Sequence, residues 1–275
     1  MLAPTSAYAP RMETIELTVA DGAATILLNR PQAINAWNQQ FGIDLLEAVE
    51  RVAADDSVRA VLVRGAGRGF SSGADLKDMS GEHATTPEGH LDVRSVLRDR
   101  YHPIITGIRR MPKPVVAAVH GPAVGIGCSL ALSCDLILAS ESAFFMLAFV
   151  NIGLVPDGGS SLFVPTRVGM ARAAEMAMLG ERIPARQALE WGLINRVAAD
   201  EAFEAEAEAL LRRLAEGPTR SFAGTKRQLN NWLYHRMDEQ LELEADIQQE
   251  MAETGDFLEG VTAFAEKRQA GFHGH

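Results

Sequence analysis

Two glycine-rich stretches have the composition needed to bind an oxygen on which negative charge develops. They are residues 69–75 (GFSSGAD) and 121–128 (GPAVGIGC), and each follows an apolar run typical of a buried strand. Glycine at such a junction lets a ligand approach the backbone closely, and the N-terminus of a following helix adds partial positive charge. Either stretch alone is more typical of a tight turn. Two of them on neighbouring strands would aim two backbone N–H donors at one oxygen, as in an oxyanion hole.

A third turn, residues 156–159 (PDGG), contains a carboxylate with two interpretations. Asp157 precedes a predicted helix start, where aspartate is a good N-cap. Its apolar neighbours, such as Phe149 and Val155, would raise its pKa towards neutrality and make it a general base. The residues alone leave cap and base equally open.

Other polar residues near these turns are weaker candidates for catalytic residues. Asp75 and Asp78 follow the first glycine turn, and Asp75 is best interpreted as a cap for the next helix. His83 and His90 lie in or beside a polar segment, residues 81–89, that resembles a lid over a site. Histidines in surface loops are usually only solvated.

Strand and helix patterns alternate to about residue 200, and only helices follow. Strands are predicted over residues 14–19, 24–28, 60–63, 115–119, 136–139 and 144–146. Helices are predicted over residues 38–55, 93–111, 129–133, 171–179, 185–191, 204–214, 219–233, 238–253 and 257–269. This order predicts an α/β core over residues 1–200 and a helical segment over residues 201–275 that packs on the core or on a partner subunit.

The bulk composition excludes several classes of protein. The chain has 275 residues, 47% of them hydrophobic and 23% charged, which is typical of a globular protein with a full core. A formal charge of -10 and a pI near 5.2 argue against nucleic-acid binding, which needs clustered cations. No apolar run approaches the length of a membrane span, so no membrane association is expected.

The two cysteines and the N-terminus indicate the compartment. Cys128 and Cys134 lack a CxxC pattern and histidines at metal-ligand spacing, so buried free thiols and no metal are expected. Residues 1–11 show no basic segment followed by an apolar one, unlike a signal peptide. We therefore expect a cytoplasmic protein.

The motifs, taken in order, resemble those of the crotonase (enoyl-CoA hydratase/isomerase) superfamily over nearly the whole chain. The matching pieces are residues 28–31 (LNRP) with Asn35 and Ala36, 69–76 (GFSSGADL), 113–119 (KPVVAAV), 121–127 (GPAVGIG), 134–135 (CD), 152–159 (IGLVPDGG) and 188–194 (ALEWGLI). The resemblance implies a spiral of ββα turns followed by a helical trimerisation region. It also implies binding of acyl-CoA thioesters, with the thioester enolate or oxyanion held by the backbone N–H groups of Ala74 and Ile126. Ile126 stands where glycine is more usual, but only its N–H is needed.

The acid–base residues depart from the pattern of the hydratases. Ser129 and Phe149 occupy the two positions where hydratases have glutamates. Ser129 could orient a water, although a bond to its own helix is the more common role of a buried helical serine. Asp157 stands where isomerase members have a lone carboxylate, including the ring-epoxide isomerases of phenylacetyl-CoA breakdown. The resemblance therefore implies an acyl-CoA isomerase with Asp157 as the acid–base residue, moving a double bond or opening a ring epoxide.

Several alternatives stay open on the same scaffold. These are hydration, thioester hydrolysis, dehalogenation with Asp157 as nucleophile, and a catalytically silent paralogue that only binds acyl-CoA. The resemblance implies no cofactor besides the coenzyme A of the substrate. Its predicted contacts are Ser72, Ala74, Asp75, Leu76, Arg30, Lys267 and Phe272. The apolar positions of the helical tail predict a subunit interface, and the resemblance implies that the assembly is a homotrimer or hexamer.

Overall fold

The computed structural model describes residues 12–77 and 85–275. Asp78, His83 and the first part of the 81–89 segment lie outside the described residues. His90 is exposed, as expected for a solvated loop histidine.

The strands form two sheets. Among the described residues they are β1 (Ile15–Ala20), β2 (Ala23–Leu28), β3 (Ala60–Gly65), β4 (Val115–Val119), β5 (Pro122–Val124), β6 (Leu136–Ser140), β7 (Phe144–Met146), β8 (Ile183–Pro184) and β9 (Arg196–Ala198). The larger sheet has the order β1-β2-β3-β4-β6-β9 and is parallel from β2 onward, whereas β1 pairs antiparallel with β2. The smaller sheet has the order β5-β7-β8. The predicted strands are confirmed, with ends that differ by one or two residues.

The helices follow most of the predicted ranges. They are α1 (Gln39–Ala54), α2 (Val93–Val96), α3 (His102–Arg110), α4 (Ile126–Ser133), α5 (Ser160–Leu179), α6 (Ala185–Glu190), α7 (Phe203–Glu216), α8 (Thr219–Leu233), α9 (Met237–Ala252) and α10 (Gly255–Glu266). The single helix predicted over residues 93–111 is interrupted by a π-helical turn, Leu97–Tyr101. α5 starts eleven residues before the predicted 171 and bends at Gly169, whose φ of 77° is not helical.

The chain repeats a ββα unit that moves from one sheet to the other. β4 in the larger sheet leads to β5 in the smaller sheet and then to α4. β6, β7 and α5 repeat that path. After β3, Ser71 forms a single parallel bridge with Ala123 of β5, so this turn also touches the second layer. This is the predicted spiral of ββα turns.

The C-terminal helices share the core of the α/β part. α7 packs Phe203, Leu210 and Leu214 against Leu62 and Val116 of the larger sheet, as a parallel sheet buried on both faces requires. α9 adds Met237, Leu241 and Ala245 to the main cluster. The division into domains 1–200 and 201–275 stays a prediction.

Candidate active site

The first glycine turn presents the N–H of Ala74. Ala74 forms a parallel bridge with Trp37. In it Trp37 donates its N–H to the carbonyl oxygen of Gly73 over 2.8 Å, and Asp75 donates to the carbonyl oxygen of Trp37 over 3.0 Å. In a parallel ladder the residue between two such bonds points its own N–H the other way. The Ala74 N–H therefore faces away from Trp37.

The second glycine turn presents the N–H of Ile126, the first residue of α4. An N–H in the first turn of a helix has no acceptor four residues earlier, and the helix dipole adds positive charge there. Gly125 precedes it with φ 53° and ψ −127°, a conformation that favours glycine. Within residues 12–77 and 85–275, the N–H groups of Ala74 and Ile126 have no hydrogen-bond acceptor.

The two turns are held against each other. Ser71 donates its N–H to the oxygen of Pro122 over 2.9 Å, and Val124 donates to the oxygen of Ser71 over 3.0 Å. Gly73 has a φ of 93°, and a β-carbon there would lie 2.9 Å from the oxygen of Val124. Glycine is therefore required at Gly73 for the close approach. Both turns open onto one cavity.

That cavity has a volume of about 730 Å³, within the range of small-molecule sites. Its lining includes the partly exposed Arg30, Asp75 and Leu76, and the exposed Phe264 at the end of α10. Most of the remaining wall is apolar and includes Tyr101, Met146, Phe149, Leu154 and Ile126. The π-helical turn places Tyr101 on this wall.

Asp157 lines the same cavity and is only 5% exposed. Burial raises the pKa of its carboxyl to about 7, against the lowering effect of a hydrogen bond from Gln248. Gln248 Nε2 donates to Oδ2 over 2.8 Å. Oδ1 is buried and has no partner among the described residues. The carboxyl group is thus ready to gain or lose a proton near neutral pH.

The N-cap interpretation of Asp157 is wrong. Gly159 is the N-cap residue of α5. The carboxylate of Glu244, on α9, accepts the N–H groups of Gly159 over 2.8 Å and of Ser161 over 3.1 Å. The Asp157 side chain is therefore not used at the helix start.

The two positions that hold glutamates in hydratases are occupied as the sequence indicates. Ser129 Oγ donates to the backbone oxygen of Asp157 over 2.8 Å, so its strongest bond is to the neighbouring turn and not to its own helix. The Phe149 ring is buried and lies against the glycine turn at Gly125. Neither residue supplies a carboxylate.

The structure brings together most of the residues predicted to contact coenzyme A. Ser72, Ala74, Asp75, Leu76 and Arg30 line the cavity. Arg30 and Asp75 form a half-buried ion pair of 3.0 Å. Lys267 ends α10 in the left-handed conformation, and Phe272 follows in the exposed tail. These two do not line the cavity in the part of the chain described, whereas their neighbours Arg268 and Ala270 do.

Sequence reasoning missed Gln248 and Glu244, which contact the Asp157 turn from 91 and 85 residues away. With Gln240, whose Nε2 donates to Ser161 Oγ over 2.9 Å, they form a polar stripe at four-residue spacing on α9. That spacing was visible in the sequence, but a polar stripe on a helix is more often solvated.

Cys128 and Cys134 are buried free thiols, and burial raises the pKa of each to about 12. They are therefore not nucleophiles at neutral pH. As for membranes, each helix found in residues 12–77 and 85–275 is too short or too polar to cross one.

Comparisons with known proteins agree with this fold and give the family. The family model for enoyl-CoA hydratase/isomerase matches residues 18–275. The chain is 41% identical over 261 residues to a probable enoyl-CoA hydratase of Rhodobacter capsulatus, covering 95% of this chain and 98% of that protein. It is 40% identical over 264 residues to 1,2-epoxyphenylacetyl-CoA isomerase of Escherichia coli, covering 96% and 99%. A crystal structure of an enoyl-CoA hydratase from Mycobacterium avium subsp. paratuberculosis superposes with a TM-score of 0.86 at 40% identity, covering 96% of this chain and all of that one.

The fold and the site define an acyl-CoA enzyme of the crotonase superfamily. The chain belongs to the enoyl-CoA hydratase/isomerase family. The resemblance and the fold class inferred from the motifs are thereby confirmed. Because the names of its relatives include both hydratase and isomerase, membership alone does not select the reaction.

Proposed function

We propose that the protein is an acyl-CoA isomerase that moves a proton between two carbons of a thioester substrate. In the proposed reaction Asp157 takes a proton from a carbon next to the thioester or conjugated with it. The electron pair becomes an enolate or dienolate whose oxygen is bound by the N–H groups of Ala74 and Ile126. Asp157, now neutral, returns the proton to a different carbon.

One observation supports this proposal above the others: among the described residues, a single buried carboxylate, with one free oxygen, lines the same cavity as two unpaired backbone N–H groups. General acid–base catalysis typically contributes about 10²–10⁴-fold, and each oxyanion donor about 10²–10³-fold. Together they supply what a proton shift needs without a resident cofactor.

Hydration by the two-glutamate route fits the site less well, because adding water needs a second carboxylate to activate it. The hydroxyl of Ser129 is bonded to the Asp157 backbone, and Phe149 is apolar. Asp75 also lines the cavity, but it is paired with Arg30. One carboxylate therefore has to both remove and return the proton.

The substrate class, acyl-CoA thioesters, follows from the family. Two kinds of acyl group are candidates, and each implies a different reaction. In the first, a double bond moves as described above. In the second, the electron pair left by proton removal breaks an epoxide C–O bond, and Asp157 returns the proton to the oxygen that is released. The second is favoured by the 40% identity to a relative named 1,2-epoxyphenylacetyl-CoA isomerase. The mainly apolar lining of the cavity suits both groups.

We also propose that the active form is a homotrimer or hexamer in the cytoplasm. Support comes from the helical tail: Trp232 of α8 is 80% exposed, and Leu229, Leu258 and Phe264 are exposed as well. Exposed large apolar side chains gathered on one segment are typical of an interface.

Turnover of a panel of acyl-CoA thioesters in D₂O tests the reaction. The panel contains β,γ-unsaturated, α,β-unsaturated and epoxide-bearing aromatic acyl-CoAs, and mass spectrometry follows the products. An isomerase gives a product of the substrate's mass, apart from deuterium gained at exchanged carbons. A mass increase by one water, release of the CoA thiol, release of halide from a haloaryl-CoA, or binding without turnover would each contradict the proposal and identify the corresponding alternative.

A further inference from the structure

Gln248 of α9 connects two parts of the Asp157 turn. Its side chain is 1% exposed. Its Oε1 accepts the backbone N–H of Val155 over 3.1 Å, and its Nε2 donates to Oδ2 of Asp157 over 2.8 Å. A backbone N–H can only donate, so the amide oxygen must face Val155 and the NH₂ group must face the carboxylate. The orientation of the amide is thereby fixed.

This bond makes the two oxygens of the carboxylate different. Oδ2 is occupied by the amide, whereas Oδ1 is buried without a partner beside the cavity. The backbone of Asp157 is fixed as well, because its carbonyl oxygen accepts the hydroxyls of Ser129 and Ser160, each over 2.8 Å. The carboxylate therefore has one occupied oxygen and one oxygen free to exchange a proton.

We infer that Gln248 is a positioning residue, which holds Oδ2 of Asp157 and leaves Oδ1 as the atom that exchanges protons with the substrate. This inference rests on the proposed function, because it assigns a role to the carboxylate only if Asp157 is the acid–base residue. Gln248 itself does not line the cavity in the described structure. Its effect on catalysis is exerted through Asp157.

The groups around Asp157 indicate how the side-chain amide of Gln248 affects ionisation of the carboxyl. Burial disfavours the ionised form, and the N–H of Gln248 favours it. Among the described residues, the titratable group that faces Asp157 is Glu244, one turn earlier on α9, and the charge of Asp157 raises the pKa of Glu244. From α4, the neutral hydroxyl of Ser129 faces the Asp157 turn. Gln248 is therefore the side chain that offsets the penalty of burying the Asp157 charge. Its loss should raise the pH at which Asp157 becomes a base.

The pH dependence of kcat/KM tests the inference in Gln248→Met and Gln248→Glu. Methionine has a similar volume but no donor, so the acidic limb should move up by about one pH unit. Glutamate keeps the acceptor for Val155 but places a second carboxyl against Oδ2, so the limb should move up further. Because Gln248 does not touch the cavity, KM should change less than twofold in both variants.

Gln240→Met is the matched control, with the same change on the same face of α9. It removes a bond to Ser161 Oγ and leaves the carboxylate untouched, so the pH profile should not move. If Gln240→Met moves the limb as much as Gln248→Met, or if a folded Gln248→Met leaves it in place, the inference is overturned. Should the methionine variant fail to fold, the near-isosteric glutamate variant decides in the same way.

Asp157→Asn separates this inference from the proposed function. If Asp157→Asn keeps wild-type turnover, the proposed function is wrong, whatever Gln248 does. If Asp157→Asn is inactive and the Gln248 variants leave the limb unmoved, only the role of Gln248 is wrong.

Discussion

The carboxylate of Glu244 accepts the backbone N–H of Gly159 over 2.8 Å, from 85 residues further along the chain. The first turn of α5 thus receives its cap from α9 and not from the adjacent Asp157. Both carboxylates are buried, and burial raises the pKa of Glu244 to about 8, against the lowering effect of its N–H donors. Because Glu244 accepts the N–H groups at the start of α5, the Asp157 carboxyl is left available for the proposed proton transfer.

Glu244→Gln should destabilise the protein. An amide has one acceptor oxygen, so it cannot accept both the Gly159 and Ser161 N–H groups, and its NH₂ would face a donor. Leaving a buried donor unpaired costs about 1–3 kcal/mol. Urea unfolding at pH 9, where the Glu244 carboxyl is ionised, measures this change in the free energy of unfolding.

Glu242→Gln is the control for that substitution, with the same change on the same helix. Glu242 forms an exposed ion pair with Arg98, and such pairs contribute little to stability. Equal unfolding midpoints for the two variants would show that the tertiary cap is not stabilising.

Asp157→Asn should abolish isomerisation, with a loss of about 10²–10⁴-fold in kcat, because an amide does not take up a proton at neutral pH. Binding of the substrate should persist, since the oxyanion donors and the cavity remain. Isothermal titration with an acyl-CoA and single-turnover assays measure the two effects separately. Turnover near the wild-type rate would remove Asp157 from the mechanism.

The pH dependence of stability offers a second test of Asp157. Its pKa is raised by burial from 3.8 to about 7, so between these values the folded protein binds more protons than the unfolded chain. The free energy of unfolding of the wild type should therefore fall as pH rises through this window, relative to Asp157→Asn. The difference between the two proteins should change by up to about 4 kcal/mol between pH 4 and pH 8. Parallel stability curves would show that the carboxyl is not buried in solution.

Ile126→Pro should remove one oxyanion donor and leave the helix in place. Proline is well suited to the first position of a helix, where its missing N–H is not needed by the helix itself. Gly125, lacking a β-carbon, avoids part of the steric restriction on the residue before proline. The expected loss in kcat is about 10²–10³-fold.

Ile126→Ala controls for the lost side chain, which is buried against Gly158. It keeps the N–H and should lose stability more than activity. If proline and alanine at this position have equal kcat, Ile126 does not donate to the oxyanion.

Light scattering should give a mass of three or six times 29.7 kDa. Truncation before Glu201 would remove Gln248 along with the tail, so a loss of activity would not report on assembly. Trp232→Glu is more specific, because it places a charge on the exposed face of α8 without touching the cavity. It should shift the mass towards that of a single chain. A stable, active monomer of the wild-type protein at micromolar concentration would contradict the proposed assembly.

The sequence predicted local structure well and long-range contacts poorly. The glycine turns at Gly73 and Gly125 were visible because glycine between an apolar strand and a helix has few other uses. A helix start after Asp157 was indicated, but the predicted helix range began only at residue 171 because Pro165 and Gly169 interrupt the pattern of α5. The π-helical turn that places Tyr101 on the cavity wall leaves no signal in the spacing of apolar residues.

From the sequence, Asp157 could equally have been an N-cap or a base. The residue that accepts the N–H groups at this helix start, Glu244, lies far away on α9. Local residues show that a helix start needs an acceptor, but they do not show which distant side chain will supply it. The family motifs favoured the base. The contact from Glu244 explains why Asp157 is not needed as a cap.

The position of Gln248 late in the chain has a consequence for synthesis on the ribosome. The last strand of the described sheets is β9 (Arg196–Ala198), whereas the amide that holds Asp157 comes some fifty residues later, and the end of α10 also lines the cavity. Folding during translation generally proceeds from the N-terminal end. A nascent chain with its β-strands already translated therefore still lacks the amide that holds Oδ2 of Asp157, so the proposed base can be oriented only after α9 has been made.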